Sequence, residues 1–72
     1  MRNAEYYQIY NSKTGSLVKS FLKNDLKMTR DKYKALTYVN EHNALKKLDE
    51  IKEYYKTNNL DWLTENLKIT TR

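Results

Sequence analysis

The sequence predicts an α+β domain in which a small antiparallel sheet packs against one amphipathic helix. Two observations carry this prediction: a strand–turn–strand pattern in the first third of the chain, and an apolar stripe with helical spacing after residue 40. The 72 residues suffice for a single domain, 1–72. A chain of this length buries only about 60% of the surface that its unfolded form exposes. We therefore expect a sheet and a helix to be the whole architecture.

The first two strands are predicted on either side of the single glycine. Residues 4–10 read AEYYQIY and residues 16–23 read SLVKSFLK, and both contain aromatic and β-branched residues that favour strands. Gly15 can adopt the left-handed conformation that closes a hairpin loop of about three to five residues. The following NDLKMTRDKYK is polar and basic without a clean period. We predict a loop there, with room for one helical turn.

A third strand and the helix come next. ALTYV at residues 35–39 has the composition of a short strand. Asn40 is a typical helix N-cap, and Glu41 is favourable in the first helical turn. Apolar residues then follow at helical spacing: Ala44, Leu48, Ile51 and Tyr55, with Leu45 beside them. Asn58 and Asn59 suit the helix end, because asparagine tolerates a left-handed cap.

The last segment, LDWLTENLKITTR, admits two interpretations. Leu60, Leu63 and Leu67 fit a short second helix. The alternation in LKITT instead fits a strand. We favour one helical turn at 60–65 followed by a closing fourth strand.

Strand alternation predicts what each sheet face carries. The helix stripe should bury itself against one face, and no other predicted element is long enough to cover the second. We therefore expect that second, outer face to be exposed. In strand two, Val18, Ser20 and Leu22 are predicted to face the core. The outer face then receives the alternate residues Leu17, Lys19, Phe21 and Lys23.

Loop length decides which face the tyrosines of strand one join. With a four-residue loop Tyr10 faces Leu17, and the outer face carries Tyr6, Gln8 and Tyr10. With a three-residue loop Tyr7 faces Phe21, and Tyr6 and Tyr10 enter the core. We prefer the four-residue loop, because it places apolar Ile9 inside and polar Gln8 outside.

The charge is distributed unevenly along the chain. Residues 1–34 carry eight Lys or Arg and three Asp or Glu, whereas residues 35–72 carry six of each sign. The whole net charge of +5 thus lies in the first half, which suggests a polyanionic or acidic partner for that half. The alternative is solubility, since a net charge of this size is ordinary for a small domain.

The sequence favours neither an enzyme nor a bound cofactor or metal. Cysteine is absent, and there is one histidine, His42, and one glycine. These counts exclude a thiolate site, a multi-histidine site and a phosphate-binding glycine loop. The N-terminus does not resemble a signal peptide, and no run reaches the about 18 apolar residues of a membrane span. We expect a cytoplasmic protein without membrane contact.

A basic and aromatic sheet face is typical of binding surfaces. It can hold single-stranded nucleic acid by stacking, worth about 1–3 kcal/mol per base, and by phosphate contacts. It can equally bind a protein, since tyrosine is frequent at interface hot spots, or support cross-strand pairs and a homodimer. The excess of lysine over arginine, 11 to 3, disfavours base-specific readout. The predicted partner-binding residues are Tyr6, Tyr10, Lys19, Phe21, Lys23, Lys27 and Arg30.

Two resemblances bear on function. ALTYVNEHNALKKLDEIKEYY, with the preceding YYQIYNSKTG, resembles small accessory proteins encoded by phages and prophages of low-GC Gram-positive bacteria. The order of hairpin, third strand and capped helix also resembles the arm-binding domain of phage-type integrases, which uses a three-stranded sheet to enter DNA. Here strand two is not arginine-rich, and NDLKMTRDKYK is an added insertion.

The first resemblance implies a mobile-element role. Such proteins include DNA-binding regulators and inhibitors that bind a host enzyme or defence nuclease. Our leading hypothesis is a non-catalytic module that docks on a host nucleic-acid-handling protein, or on its complex with nucleic acid, and modulates or inhibits it. Direct DNA or RNA binding by the same face is the alternative. A structural homodimer through the open face is the third hypothesis.

Overall fold

The computed structural model describes residues 6–71 as a four-stranded antiparallel sheet with one long helix. The strands are β1 (Tyr7–Asn11), β2 (Leu17–Leu22), β3 (Asp25–Thr29) and β4 (Leu67–Thr71), and the helix α1 spans Glu41–Thr57. A three-residue 3-10 turn, Asp61–Leu63, leads into β4. The strand order across the sheet is β3-β2-β1-β4, which puts β3 and β4 at the edges. The predicted α+β class is confirmed.

Helix α1 forms as predicted from its caps and stripe. The Asn40 side chain accepts a hydrogen bond from the His42 backbone N–H at 2.7 Å, which satisfies one of the free donors of the first turn. Ala44, Leu48 and Ile51 are buried. Leu48 and Ile51 pack with Ile9, Val18, Phe21 and Leu67 in a core between the helix and one face of the sheet. The predicted turn and fourth strand after the helix are also confirmed.

The first hairpin has the preferred register. Tyr10 pairs with Leu17, and the Asn11 N–H donates to the Ser16 carbonyl at 2.7 Å, leaving four residues in the loop. Gly15 has φ +81 and donates back to Asn11, which is the left-handed position that only glycine takes without a steric cost. Ile9 is fully buried against the core, as this register requires.

The third strand lies elsewhere than predicted. DLKMT, which we expected to be a loop, is β3, whereas ALTYV contributes only an isolated bridge between Tyr38 and Tyr7. The chain reverses between β2 and β3 over two residues, Lys23 and Asn24, which have φ +53 and +63. Two central residues with positive φ define the type I′ hairpin turn. The sequence hides this turn, because Lys-Asn replaces the usual Asn-Gly.

A β-bulge in β2 overturns the predicted faces of that strand. Ser20 pairs with Lys27 and Val18 pairs with Met28, so Lys19 is an extra residue without a partner across the ladder. An extra residue reverses the alternation beyond it, and Val18 and Phe21 consequently share the core face. Phe21 is only 5% exposed, although we predicted it outside. Leu22, predicted inside, is 72% exposed.

The outer sheet face is not open around β1, contrary to prediction. Gln8 faces away from the core but is only 2% exposed, because the segment between β3 and α1 crosses over it. In that segment the Leu36 N–H donates to the Val18 carbonyl at 3.0 Å, and Tyr38 exchanges two backbone hydrogen bonds with Tyr7. The segment therefore bonds to both strands, a role that its lack of regular periodicity did not reveal.

Candidate partner-binding surface

The structure separates the predicted partner-binding residues into two groups. The four cations Lys19, Lys23, Lys27 and Arg30 are all exposed. The aromatic residues are less accessible: Tyr6 is 40% exposed, Tyr10 is half-buried and Phe21 is buried. The predicted surface thus keeps its charge and loses one of its three rings to the core.

Phe21 supports the fold rather than a surface. Its ring lies 5.9 Å from that of Tyr54 on α1, at an interplanar angle of 60°. Edge-to-face pairs of this kind add about 0.5–1.5 kcal/mol beyond the area that they bury. Because the bulge at Lys19 turns Phe21 toward the helix, the ring cannot contact a partner without local unfolding.

The exposed cations nevertheless come from one continuous part of the fold. Lys19 lies at the bulge of β2, Lys23 at the type I′ turn and Lys27 on β3. The chain then continues past Arg30 into a turn at residues 32–34. We call the exposed cations of this hairpin and turn the basic surface: Lys19, Lys23, Lys27, Arg30, Lys32 and Lys34.

Two carboxylates lie in this segment, and neither cancels its charge. Asp25 is 3.4 Å from the Lys27 ammonium, but both side chains are more than 60% exposed. Such a pair contributes about 0–1 kcal/mol. Asp31 is used locally, since its Oδ1 accepts the Tyr33 backbone N–H at 2.9 Å. The basic surface therefore keeps a net positive field for an anionic partner.

The turn that ends the basic surface presents an aromatic ring to solvent. The Thr29 hydroxyl accepts from the Asp31 N–H at 3.1 Å, and the Asp31 carbonyl accepts from the Lys34 N–H at 3.0 Å. These bonds and the one to Tyr33 hold the turn in one conformation. The Tyr33 side chain is 74% exposed, and the Lys32 ammonium lies 5.6 Å from its ring centroid.

A buried amide fastens this turn to the sheet. Gln8 Nε2 donates to the Lys32 carbonyl at 2.8 Å and to the Thr37 hydroxyl at 3.2 Å. The Thr37 hydroxyl donates in turn to the Ala35 carbonyl at 3.1 Å. Tyr33 and its neighbouring cations are thereby positioned by β1, although they lie outside every strand.

Sequence reasoning counted Lys32 and Lys34 toward the charge excess but did not include Tyr33 in the site. A signal for it was present in RDKYK: an aspartate that can start a turn, followed by an aromatic residue between two lysines. The predicted loop has no defined geometry, so the sequence does not place the ring.

The exposed side of α1 is a second polar surface of the described chain. The exposed side of α1 alternates lysines with carboxylates and includes a Lys47–Glu50 pair at 3.3 Å, which is typical of a solvated helix face. Across residues 6–71 no three His, Asp or Glu side chains form a group able to hold a metal ion. No helix in that range is long and apolar enough to cross a bilayer.

Comparison with known proteins adds no family assignment. No protein-family model, curated protein or solved structure matches the chain significantly. The basic surface and the geometry of its turn are therefore the features that bear on function.

Proposed function

We propose that the protein is a non-catalytic binding module that holds single-stranded nucleic acid on its basic surface. The observation that carries this proposal is Tyr33, an aromatic residue that is 74% exposed on a hydrogen-bonded turn, with Lys32 and Lys34 on either side of it in the chain. An exposed ring among cations can stack on an unpaired base while the cations contact the adjacent phosphates. Lysine contacts follow the backbone without reading bases, so binding should tolerate many sequences.

The proposed contact lies at the β2–β3 edge of the sheet rather than on its outer face. Phe21 is buried, and the segment over Gln8 covers part of the outer face, so a flat aromatic platform is missing around β1. The exposed cations instead run from the β2 bulge through the β2–β3 turn and β3 to the turn at residues 32–34. A flexible single strand can follow this path, with its backbone along the cations and one base on Tyr33.

Fluorescence anisotropy with labelled oligo-dT and oligo-rU tests this proposal. Binding should weaken log-linearly with salt, as phosphate contacts require. Tyr33→Ala should lower the affinity by about 5- to 150-fold, the equivalent of one stacked base, while Tyr33→Phe should retain it. Lys46→Gln, which removes one positive charge from the exposed side of α1, is the control and should leave the affinity nearly unchanged. Absence of binding at low salt, or equal affinities for the Ala and Phe variants, would refute the proposal.

A second candidate function is docking on a host nucleic-acid-handling protein, the role expected of a mobile-element inhibitor. The observation that favours it is Leu22, which is 72% exposed beside Lys23 at the tip of the β2–β3 hairpin. Protein interfaces place an apolar centre inside a polar rim, and Leu22 among these cations can supply such a centre. Capture from host lysate, with and without nuclease treatment, tests for such a partner. Leu22→Ser should abolish nuclease-resistant capture but leave oligonucleotide binding intact.

A further inference from the structure

The edge strand β3 has hydrogen-bonding capacity that the described chain does not use. Leu22 and Asp25 pair across the two-residue turn, so their main-chain groups face each other. Main-chain groups alternate in direction along an antiparallel strand, and those of Leu26 and Met28 consequently point away from β2. β3 is the last strand of the sheet on that side, and no strand within residues 6–71 pairs with those groups.

Apolar side chains on β3 are also incompletely covered. Helix α1 packs chiefly on β1 and β4, at the opposite side of the sheet. On the helix side of β3, Leu26 is only half-buried and Met28 is 37% exposed. Proteins commonly protect edge strands with prolines, bulges, covering loops or charged side chains, and β3 carries two charges, Asp25 and Lys27. β3 has no proline, and the bulge belongs to β2.

The charges on β3 are complementary to those of a second copy in one register. Asp25 and Lys27 lie on the outer face, two residues apart. If two copies of β3 pair antiparallel about Leu26, Asp25 of each chain stands opposite Lys27 of the other. These are non-hydrogen-bonded pairs, the type in which facing side chains lie closest. Pairing about Lys27 would oppose the two lysines, and pairing about Met28 would bring Asp25 opposite Asp31. Like charges directly opposite are destabilising.

We propose that the protein forms a two-fold homodimer by antiparallel pairing of β3 with β3 of a second copy, in the register centred on Leu26. The pairing produces one eight-stranded sheet with both helices on the same side. The Leu26 side chains meet at the axis and cover each other. The exposed Asp25–Lys27 pair at 3.4 Å becomes part of a cluster of four alternating charges, and a network contributes more than an isolated surface pair. Lys27 belongs both to this interface and to the basic surface, whereas the Tyr33 turn lies outside the paired strands, and the dimer does not require nucleic-acid binding.

Sedimentation equilibrium of charge-swapped variants tests both the dimer and its register. Asp25→Lys and Lys27→Asp should each weaken self-association at least tenfold, because each places like charges opposite one another. An equimolar mixture of the two variants should form a heterodimer, since the first variant carries two lysines on β3 and the second carries two aspartates at the facing positions. The double variant D25K/K27D should again form a homodimer. Lys68→Asp on the opposite edge strand is the control and should leave the dimer unchanged.

Three outcomes would overturn the proposal. The first is a wild-type chain that remains monomeric at its highest soluble concentration. The second is a dimer that survives both single swaps, which would place the contact elsewhere. The third is a double variant that stays monomeric, which would show that the two charges do not stand opposite each other. Circular dichroism melting of each variant separates loss of pairing from loss of folding.

Discussion

Gln8 Nε2 donates a 2.8 Å hydrogen bond to the Lys32 carbonyl oxygen, and this contact links the first strand to the turn that displays Tyr33. The amide is almost inaccessible to solvent, with 2% of Gln8 exposed, and its second bond reaches the Thr37 hydroxyl. A buried amide with two partners specifies one position for the covering segment, because any other position would leave polar groups unpaired. The Gln8 amide thus fixes the position of the loop that carries Arg30, Lys32 and Lys34.

Gln8→Leu should destabilise the protein and weaken its binding at the same time. The substitution keeps the side-chain volume but leaves the Lys32 carbonyl and the Thr37 hydroxyl without their donor. We expect a loss of about 1–3 kcal/mol in the free energy of unfolding, measured by urea denaturation. Oligonucleotide affinity should fall as well, because the Tyr33 turn loses its anchor. Thr37→Val removes the 3.2 Å bond from Gln8 and the hydroxyl's own bond to the Ala35 carbonyl, but it keeps the bond to the Lys32 carbonyl and should have the smaller effect on binding. Unchanged stability in Gln8→Leu would show that the amide does not hold the turn.

Phe21 and Leu22 are neighbours with opposite environments, and substitution can confirm which of them lies in the core. Phe21→Ala should reduce the free energy of unfolding by about 3–5 kcal/mol, the cost of a cavity in a packed core. Leu22→Ala should change it by no more than about 0.5 kcal/mol, because that side chain is largely in solvent. Urea denaturation of both variants measures the difference. Equal costs, or a larger cost for Leu22, would support the faces that simple alternation predicts.

Sequence reasoning placed correctly those elements whose signals are local. The Asn40 cap, the apolar stripe of α1 and the Gly15 turn each depend on side chains that act on their own backbone or on one face. The errors share a different cause. The bulge at Lys19 and the turn at Lys23 and Asn24 depend on pairing between strands, which leaves no periodic signal. The one-residue bulge puts Phe21 in the core and Leu22 in solvent, the reverse of the prediction. Phe21 is therefore lost as a predicted anchor of the site. Lys19, Lys23, Lys27 and Arg30 were predicted to be accessible and are exposed, because charged side chains rarely become buried.

The type I′ turn at Lys23 carries a conformational penalty that glycine should relieve. Lys23 has φ +53, where a Cβ atom costs roughly 1–2 kcal/mol. Lys23→Gly should therefore be more stable than Lys23→Ala by about 1 kcal/mol. Both variants remove the same charge, so the comparison isolates the backbone effect. Thermal or urea unfolding measures it. A more stable alanine variant would contradict the left-handed conformation at this position.

Tyr38 should make the protein less stable at alkaline pH. Burial, followed by the nearby Glu50 carboxylate, raises the pKa of Tyr38 above its ordinary value of 10.0. The folded state then retains the phenol proton above pH 10, where the unfolded chain releases it. The contribution of Tyr38 to the free energy of unfolding is therefore fully present below pH 10 and is lost as the pH rises through the folded-state pKa. Tyr38→Phe should flatten the fall in unfolding free energy above pH 10, and Glu50→Gln should flatten it less. Identical slopes in all three proteins would exclude Tyr38 as a cause.

The bulge itself can be removed by deleting Lys19. In the shortened strand Val18, Ser20 and Phe21 follow one another, so regular alternation keeps Val18 and Phe21 on the core face and Ser20 on the outer face. We expect the deletion variant to fold, with a cooperative transition and a loss within the about 0.5–3 kcal/mol usual for single changes. Deleting Tyr10 is the matched control. β1 pairs with β4 through five consecutive residues without a bulge, so this deletion turns Ile9 out of the core and should abolish the transition. If the Lys19 deletion unfolds the chain while substitutions of Lys19 do not, the bulge has a further role, for which the hydrogen bond from Leu36 to the adjacent Val18 carbonyl is the structural explanation.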